Sequence, residues 1–409
     1  MSESAVVTGP TAQRETSRGL MLAMATGGFA LTFWAWALLG PLGSSLREEL
    51  GLTAFQQAVL VAVPVIVGSL GRIPVGALTD RLGARVMFTT MSLLTILPVL
   101  YLGFVADTYA EYLIGGFFLG LGGTTFAIGI PLVNSWFPPE RRGTALGVFG
   151  VGMGGTAISA FTTVHLTEAI GKGFPFALVA VLLAGYSVLA WLLIRDRSDR
   201  MIAGGSMLAR TWNTLKMRST IELALLYAVS FGGFVAFSVY LPSYLKTAYG
   251  LSQGDAALRT AGFVVLAVVM RPIGGWLSDR THPVKVLTVS YALATALAVL
   301  ASLELNLLPQ GSVALLGLAA VLGLGTGAVF ALVAKLAPAQ SVGSVTGVVG
   351  AAGGLGGFFP PLLMGAIYGA TGDYSVGYLM LALTALVALL YTWLVIRRRL
   401  EARADSGGS

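Results

Sequence analysis

Apolar runs of about 20 residues, separated by short polar or charged stretches, recur from one end of the chain to the other. A helix rises about 1.5 Å per residue, so each run has the length that spans roughly 30 Å of hydrocarbon. Twelve runs can be counted, at residues 20–46, 55–78, 85–105, 109–136, 142–169, 174–194, 220–248, 257–278, 284–303, 312–336, 341–369 and 374–396. Strands of a membrane barrel alternate in polarity over about ten residues, and the runs show no such alternation. The pattern therefore predicts an all-α membrane protein of twelve transmembrane helices. Composition agrees: 56% of residues are hydrophobic and 11% charged, against roughly 25% charged in soluble proteins. The segment 1–17 is polar and lacks the apolar core of a cleavable leader, so the first run reads as a true span.

Charge fixes an orientation rather than a soluble partner. With both ends placed on the cytoplasmic side, the inner loops hold most of the lysines and arginines, whereas the outer loops hold only Arg47, Lys172, Lys246 and Arg259. Positive residues are retained on the cytoplasmic side, so the net charge of +7 reflects topology and not a nucleic-acid partner. The chain has no cysteine and two separated histidines, His165 and His282. These predict no metal site, no cofactor and no cysteine nucleophile, and the residue types offer no enzyme chemistry.

The longest polar interruption, 195–219, divides the chain into bundles at 20–194 and 220–397, flanked by cytoplasmic tails at 1–19 and 398–409. The halves repeat each other. "GRIPVGALTDR" at 71–81 returns as "MRPIGGWLSDR" at 270–280, which pairs Arg72 with Arg271, Asp80 with Asp279 and Arg81 with Arg280. Gly147, Gly150 and Gly154 of the fifth run match Gly347, Gly350 and Gly354 of the eleventh. Duplicated six-span units are the architecture of carriers whose substrate sits near mid-membrane between the repeats.

Arg72 lies eight residues before Asp80, hence roughly 12 Å in from the cytoplasmic end, and Arg271 holds the same place in the other half. A charge at that depth costs about 2.5–3.5 kcal/mol on insertion scales. The acidic residues all fall near span ends or in loops, so an anionic cargo is expected to supply the missing charge, met by the planar fork of donors on each guanidinium. The competing reading has each arginine bonded to backbone carbonyls at a helix break beside Pro74 or Pro272. Glycines at steps of three and four, including Gly147, Gly150, Gly154, Gly350, Gly353, Gly354 and Gly357, predict flat faces for close helix approach and for sliding during gating.

The loop "GALTDRLGAR" resembles the signature of the major facilitator superfamily, with Ala84 as a departure. The resemblance implies two pseudo-symmetric six-helix bundles and gives Asp80, Arg81, Asp279 and Arg280 a place at the cytoplasmic gate. A closer likeness, carried by "GRIPVGALTDR", "LLYAVSFGGFVAFSVYLP", "MRPIGGWLSDR" and "VTGVVGAAGGLGGFFPP", is to the nitrate/nitrite porter family. That resemblance implies an anion clamped by Arg72 and Arg271, with Tyr227, Phe231 and Phe126 lining the site. Phe33 and Trp34 are further candidates for its wall. Many members carry an asparagine in the glycine run of the fifth span, where this chain has Met153, which leaves the preferred anion open.

The expectation is a monomeric carrier of nitrate and nitrite in the bacterial inner membrane, working by alternating access and exchange, with the lipid bilayer as its other partner. An organic-anion exchanger for oxalate, formate or a monocarboxylate, a proton-coupled symporter, and a membrane sensor remain as alternatives.

Overall fold

The computed structural model describes residues 10–197, 207–338 and 341–398; residues 1–9 and 399–409 of the expected tails, and linker residues 198–206 with Arg200, lie outside them. Among the described residues, twelve helices are long and apolar enough to cross a membrane: Arg18–Gly43, Val59–Leu82, Ala84–Phe104, Tyr109–Trp136, Pro139–Ala169, Phe174–Leu193, Arg218–Ser238, Leu258–Arg280, Pro283–Ser302, Leu307–Leu336, Val342–Pro360 and Ser375–Ile396. They are called spans one to twelve. Among the described residues there is no strand. Large apolar side chains such as Leu97, Phe104, Val181, Leu192 and Leu383 stay more than half exposed, a surface suited to lipid and not to water.

Local chemistry sets the ends. Thr53 and Thr108 start helices with capping boxes completed by Gln56 and Glu111. Gly51 and Gly250 stop helices in the left-handed conformation, at φ 62° and 65°. Hydroxyls tie helices together inside each half: Thr32 meets Thr125 at 2.6 Å between spans one and four, and Ser230 meets Tyr291 at 2.9 Å between spans seven and nine.

The halves meet along two seams. Span two packs on span eleven, and span five on span eight. Each seam begins with a carboxylate at a helix N-terminus. Asp80 accepts hydrogen bonds from the Gly343 N–H (2.9 Å), the Ser344 N–H (2.9 Å) and the Ser344 hydroxyl (2.7 Å). Asp279 accepts from the Gly143 N–H (3.0 Å), the Thr144 N–H (2.6 Å) and the Thr144 hydroxyl (2.7 Å). These amides belong to the orphan donors of a first helical turn, where a negative charge also meets the positive end of the helix dipole. Neutralising either carboxylate loosens the Asp80 end. In an Asp279→Asn variant carrying Ala331→Cys, a thiol at a position 2% exposed, labelling by a polar maleimide is expected to rise roughly tenfold, the equivalent of one charge-assisted bond. An unchanged labelling rate would show that the Asp279 carboxylate does not hold this seam shut.

Two features depart from the sequence reading. The expected polar linker 195–219 contains a helix, Met207–Lys216, that packs against spans two and eleven, with Thr214 buried and Trp212 exposed beneath Lys216. Spans four and five tighten into 3₁₀ turns at Gly120–Thr124 and Val151–Gly154, while their counterparts, Ser312–Leu336 and Val342–Thr371, run unbroken. The repeat is thus asymmetric along these spans, the first half winding more tightly than the second.

Candidate functional site

Arg72 and Arg271 are 1% and 4% exposed, deep in spans two and eight. They face a wall of aromatic rings. Tyr227 and Phe231, one turn apart on span seven, stack at 4.8 Å with planes 5° apart. Phe126 of span four runs parallel to them, 6.1 Å from Tyr227 and 6.4 Å from Phe231. The guanidinium carbons of Arg72 and Arg271 each lie 5.6 Å from the centre of the Phe231 ring, so the two charges are no more than ~11 Å apart. Arg72 also lies 5.1 Å from the Phe126 ring and 5.9 Å from Phe33. Contacts of this kind are worth about 2 kcal/mol when desolvated, which offsets much of the cost of holding each charge in the membrane.

The hydrogen bonds divide the two arginines. Arg72 donates Nε to the Gly123 carbonyl at 3.0 Å and Nη1 to the Gly350 carbonyl at 2.8 Å. Carbonyl partners are therefore realised for Arg72, but they come from spans four and eleven and not from a break at Pro74. Two hydrogen bonds from a charged donor contribute about 3–6 kcal/mol, enough to hold this side chain without a counter-ion. Arg271 has one contact, Nη2 to the Tyr227 hydroxyl at 3.4 Å, and its buried Nη1 has no partner among the described residues. No carboxylate pairs with either arginine among the described residues. A buried charged donor without a partner among the described residues is chemically able to take an anionic one.

The glycine seams position both arginines. The hydrogen that stands in place of a side chain at Gly350 points at the Arg72 side chain, whose Cδ is 3.0 Å from where a Cβ would sit, and at Gly150 the neighbour is Arg271 Nε at 3.1 Å. Gly147 abuts the Arg271–Pro272 backbone, which leaves no room for a Cβ.

A family model described as "Major Facilitator Superfamily" matches residues 25–331 and 223–409. The chain is 48% identical over 387 residues to the "Probable nitrate/nitrite transporter NarK2" of Mycobacterium tuberculosis, covering 94% of this chain and 98% of that one. The chain belongs to the nitrate/nitrite porter family of the major facilitator superfamily. The porter is also 34% identical to the "Nitrite extrusion protein" of Bacillus subtilis strain 168, over 91% of its own length and 93% of that protein's. Its fold matches the human organic anion transporter MFSD10 with a TM-score of 0.77 at 14% identity, over 92% of this chain and 99% of that one.

Of the residues singled out in the porter's sequence, Arg72, Arg271, Tyr227, Phe231 and Phe126 lie together around one point. Phe33 touches them, whereas Trp34 belongs to the separate cluster around Leu38, Leu39 and Tyr112. Asp80 and Asp279 bridge the halves away from the rings, and Arg280 stacks on Trp276 at 4.2 Å; Arg81 is exposed nearby. Gly353 backs onto Tyr227 and Phe231, and Gly357 onto Val235, so these two pack inside their own half. Gly354 continues the span two–eleven seam against Ser69. Gly154 does not continue its seam: no described atom lies within 4 Å of where its Cβ would be. The regular spacing carries it onto the right face, but the 3₁₀ turn at Val151–Gly154 changes the phase of the helix beneath it. Met153, buried at 1%, brings an apolar side chain to the position of the family's amide.

Phe330 of span ten, edge-on to Phe126 at 5.0 Å and to Tyr227 at 4.7 Å, was not singled out. Its signal was present: Phe-Ala-aliphatic at 126–128 recurs at 330–332.

Proposed function

We propose that the porter carries nitrate and nitrite across the bacterial inner membrane by alternating access, with both termini in the cytoplasm and one chain as the working unit. The single observation that carries this is the pair of buried arginines, one from each half, that share an aromatic wall with no carboxylate between them among the described residues and leave one charged donor unmet. The names of its relatives support the choice of anion. In this reading the bundles 20–194 and 220–397 move about the site, joined by the linker 195–219, and the glycine seams together with the Asp80 and Asp279 interlocks set when each side opens. The near-parallel rings of Phe126, Tyr227 and Phe231 pack on one another as an apolar wall beside both guanidinium groups, a flat surface that suits a planar anion held by the arginines.

Counterflow in proteoliposomes tests the assignment. Labelled nitrate is expected to exchange with internal nitrate or nitrite, while formate and oxalate compete only weakly. Strong competition by oxalate at equal concentration would move the porter to the organic-anion class. Removing the Tyr227 hydroxyl takes away one weak contact to Arg271 and one donor to the anion, while Phe231 and Phe126 keep the aromatic wall. Tyr227→Phe is therefore expected to raise the half-saturation concentration roughly tenfold with the maximum rate largely retained, as a saturation curve of initial uptake will show.

A further inference from the structure

The two arginines occupy equivalent places in the repeat but unequal environments. Arg72 is bonded on two nitrogens to carbonyls, and one of these, Gly350, belongs to the opposite half. Its seam is closed on both sides of that bond: Gly347 lies against the Arg72–Ile73 backbone and Gly354 against Ser69. Arg271 is bonded only to Tyr227, within its own half, and its Nη1 is unmatched among the described residues. Its seam ends beside it. Gly150 touches the Arg271 side chain, and one turn further on the described residues leave open space at Gly154.

We infer that the arginines divide the work, Arg271 capturing the anion and Arg72 acting as a latch between the halves through its hydrogen bond to the Gly350 carbonyl. This rests on the reading of the protein as an anion carrier. An arriving anion meets a free donor at Arg271 at no cost in existing bonds. It engages Arg72 only by taking the place of the Gly350 oxygen, an exchange of one acceptor for a better, charged one. That exchange removes a bond between the halves at the moment the site fills, so occupancy and release of the span two–eleven seam are one event. Gly350 has no side chain to stand between the guanidinium and its carbonyl, which makes the latch sensitive to this position.

The test separates binding from response. The wild-type chain lacks cysteine, so Leu82→Cys and Leu336→Cys, one at the Asp80 end of each half, accept spin labels without background. Nitrate binding is measured by calorimetry on the purified full chain, and the distance between labels is measured with and without nitrate. Arg271→Gln is expected to weaken binding by roughly 100-fold and to keep the nitrate-free distance distribution. Arg72→Gln is expected to bind within about tenfold of wild type, with a distribution that is already shifted and no longer responds to nitrate. Arg271→Lys and Arg72→Lys repeat the comparison with charge retained, and only variants that elute as monodisperse protein are scored. Equal loss of binding in the Arg72 and Arg271 variants overturns the division of labour, as does a normal nitrate response in Arg72→Gln. A wild-type chain that binds neither nitrate nor nitrite overturns the anion-carrier reading, and this inference with it.

Discussion

Arg271→Lys is expected to lower nitrate uptake by at least roughly 100-fold while the protein still inserts and elutes as wild type. Lysine keeps the charge, so the loss isolates geometry. A guanidinium presents two parallel donors to two oxygens of a planar anion, whereas an ammonium presents a point charge that must be stripped of more water. The surroundings sharpen the contrast. The Phe231 ring, 5.6 Å from the guanidinium carbon, is met by a flat cation that stacks, and a lysine amine at that depth lies among rings with the Tyr227 hydroxyl as its nearest acceptor. Arg72→Lys is expected to abolish transport as well, because one ammonium cannot reach both the Gly123 and the Gly350 carbonyls in the geometry that Nε and Nη1 share. Initial rates of labelled nitrate uptake in proteoliposomes, normalised to inserted protein, give the result. Activity above a tenth of wild type in both variants would show that charge alone suffices and that no bidentate clamp operates.

The expectation that both arginines lie deep came from the sequence, because the cost of burying a charge is large and the helical rise is fixed; in the structure they are 1% and 4% exposed. Eight residues from Asp80 to Arg72 translate directly into a position near mid-membrane. The twelve spans were legible for the same reason, since hydrocarbon thickness sets a length that composition alone reveals. Partner choice was not legible. Nothing in the sequence distinguishes Arg72, held by two carbonyls, from Arg271, held by a single long contact, because backbone acceptors carry no sequence signature. Gly154 shows the limit of periodicity: its spacing continues the pattern of Gly143, Gly147 and Gly150, yet a 3₁₀ turn under it opens the seam. Glu222 shows the limit of position. It lies near the end of span seven, as its place in the sequence suggests, but it is 3% exposed and bonded to Arg218 Nε and the Tyr391 hydroxyl, each at 2.9 Å.

That carboxylate bears on coupling. A carrier driven by protons needs a deep group that gains and loses one during the cycle. Glu222 is fixed by two partners at the end of its helix, and the described residues place no Asp, Glu or His beside the arginines. In the proposed cycle the site itself resists the return of an empty carrier. Two positive charges within ~11 Å repel by about 1.5 kcal/mol at an effective dielectric of ~20, roughly a tenfold effect on a rate. Breaking the bond from Arg72 to the Gly350 carbonyl with no anion to replace it costs about 1.5–3 kcal/mol more, at least another factor of ten. Together these are expected to slow empty return by roughly 100-fold, which is the physical basis for proposing exchange rather than net flux. Labelled nitrate is therefore expected to enter vesicles loaded with nitrate or nitrite about 100 times faster than vesicles loaded with an impermeant anion. An inward proton gradient should leave that ratio unchanged. Uptake into counter-anion-free vesicles that reaches the exchange rate when the gradient is applied would show that a proton does the work assigned here to the returning anion.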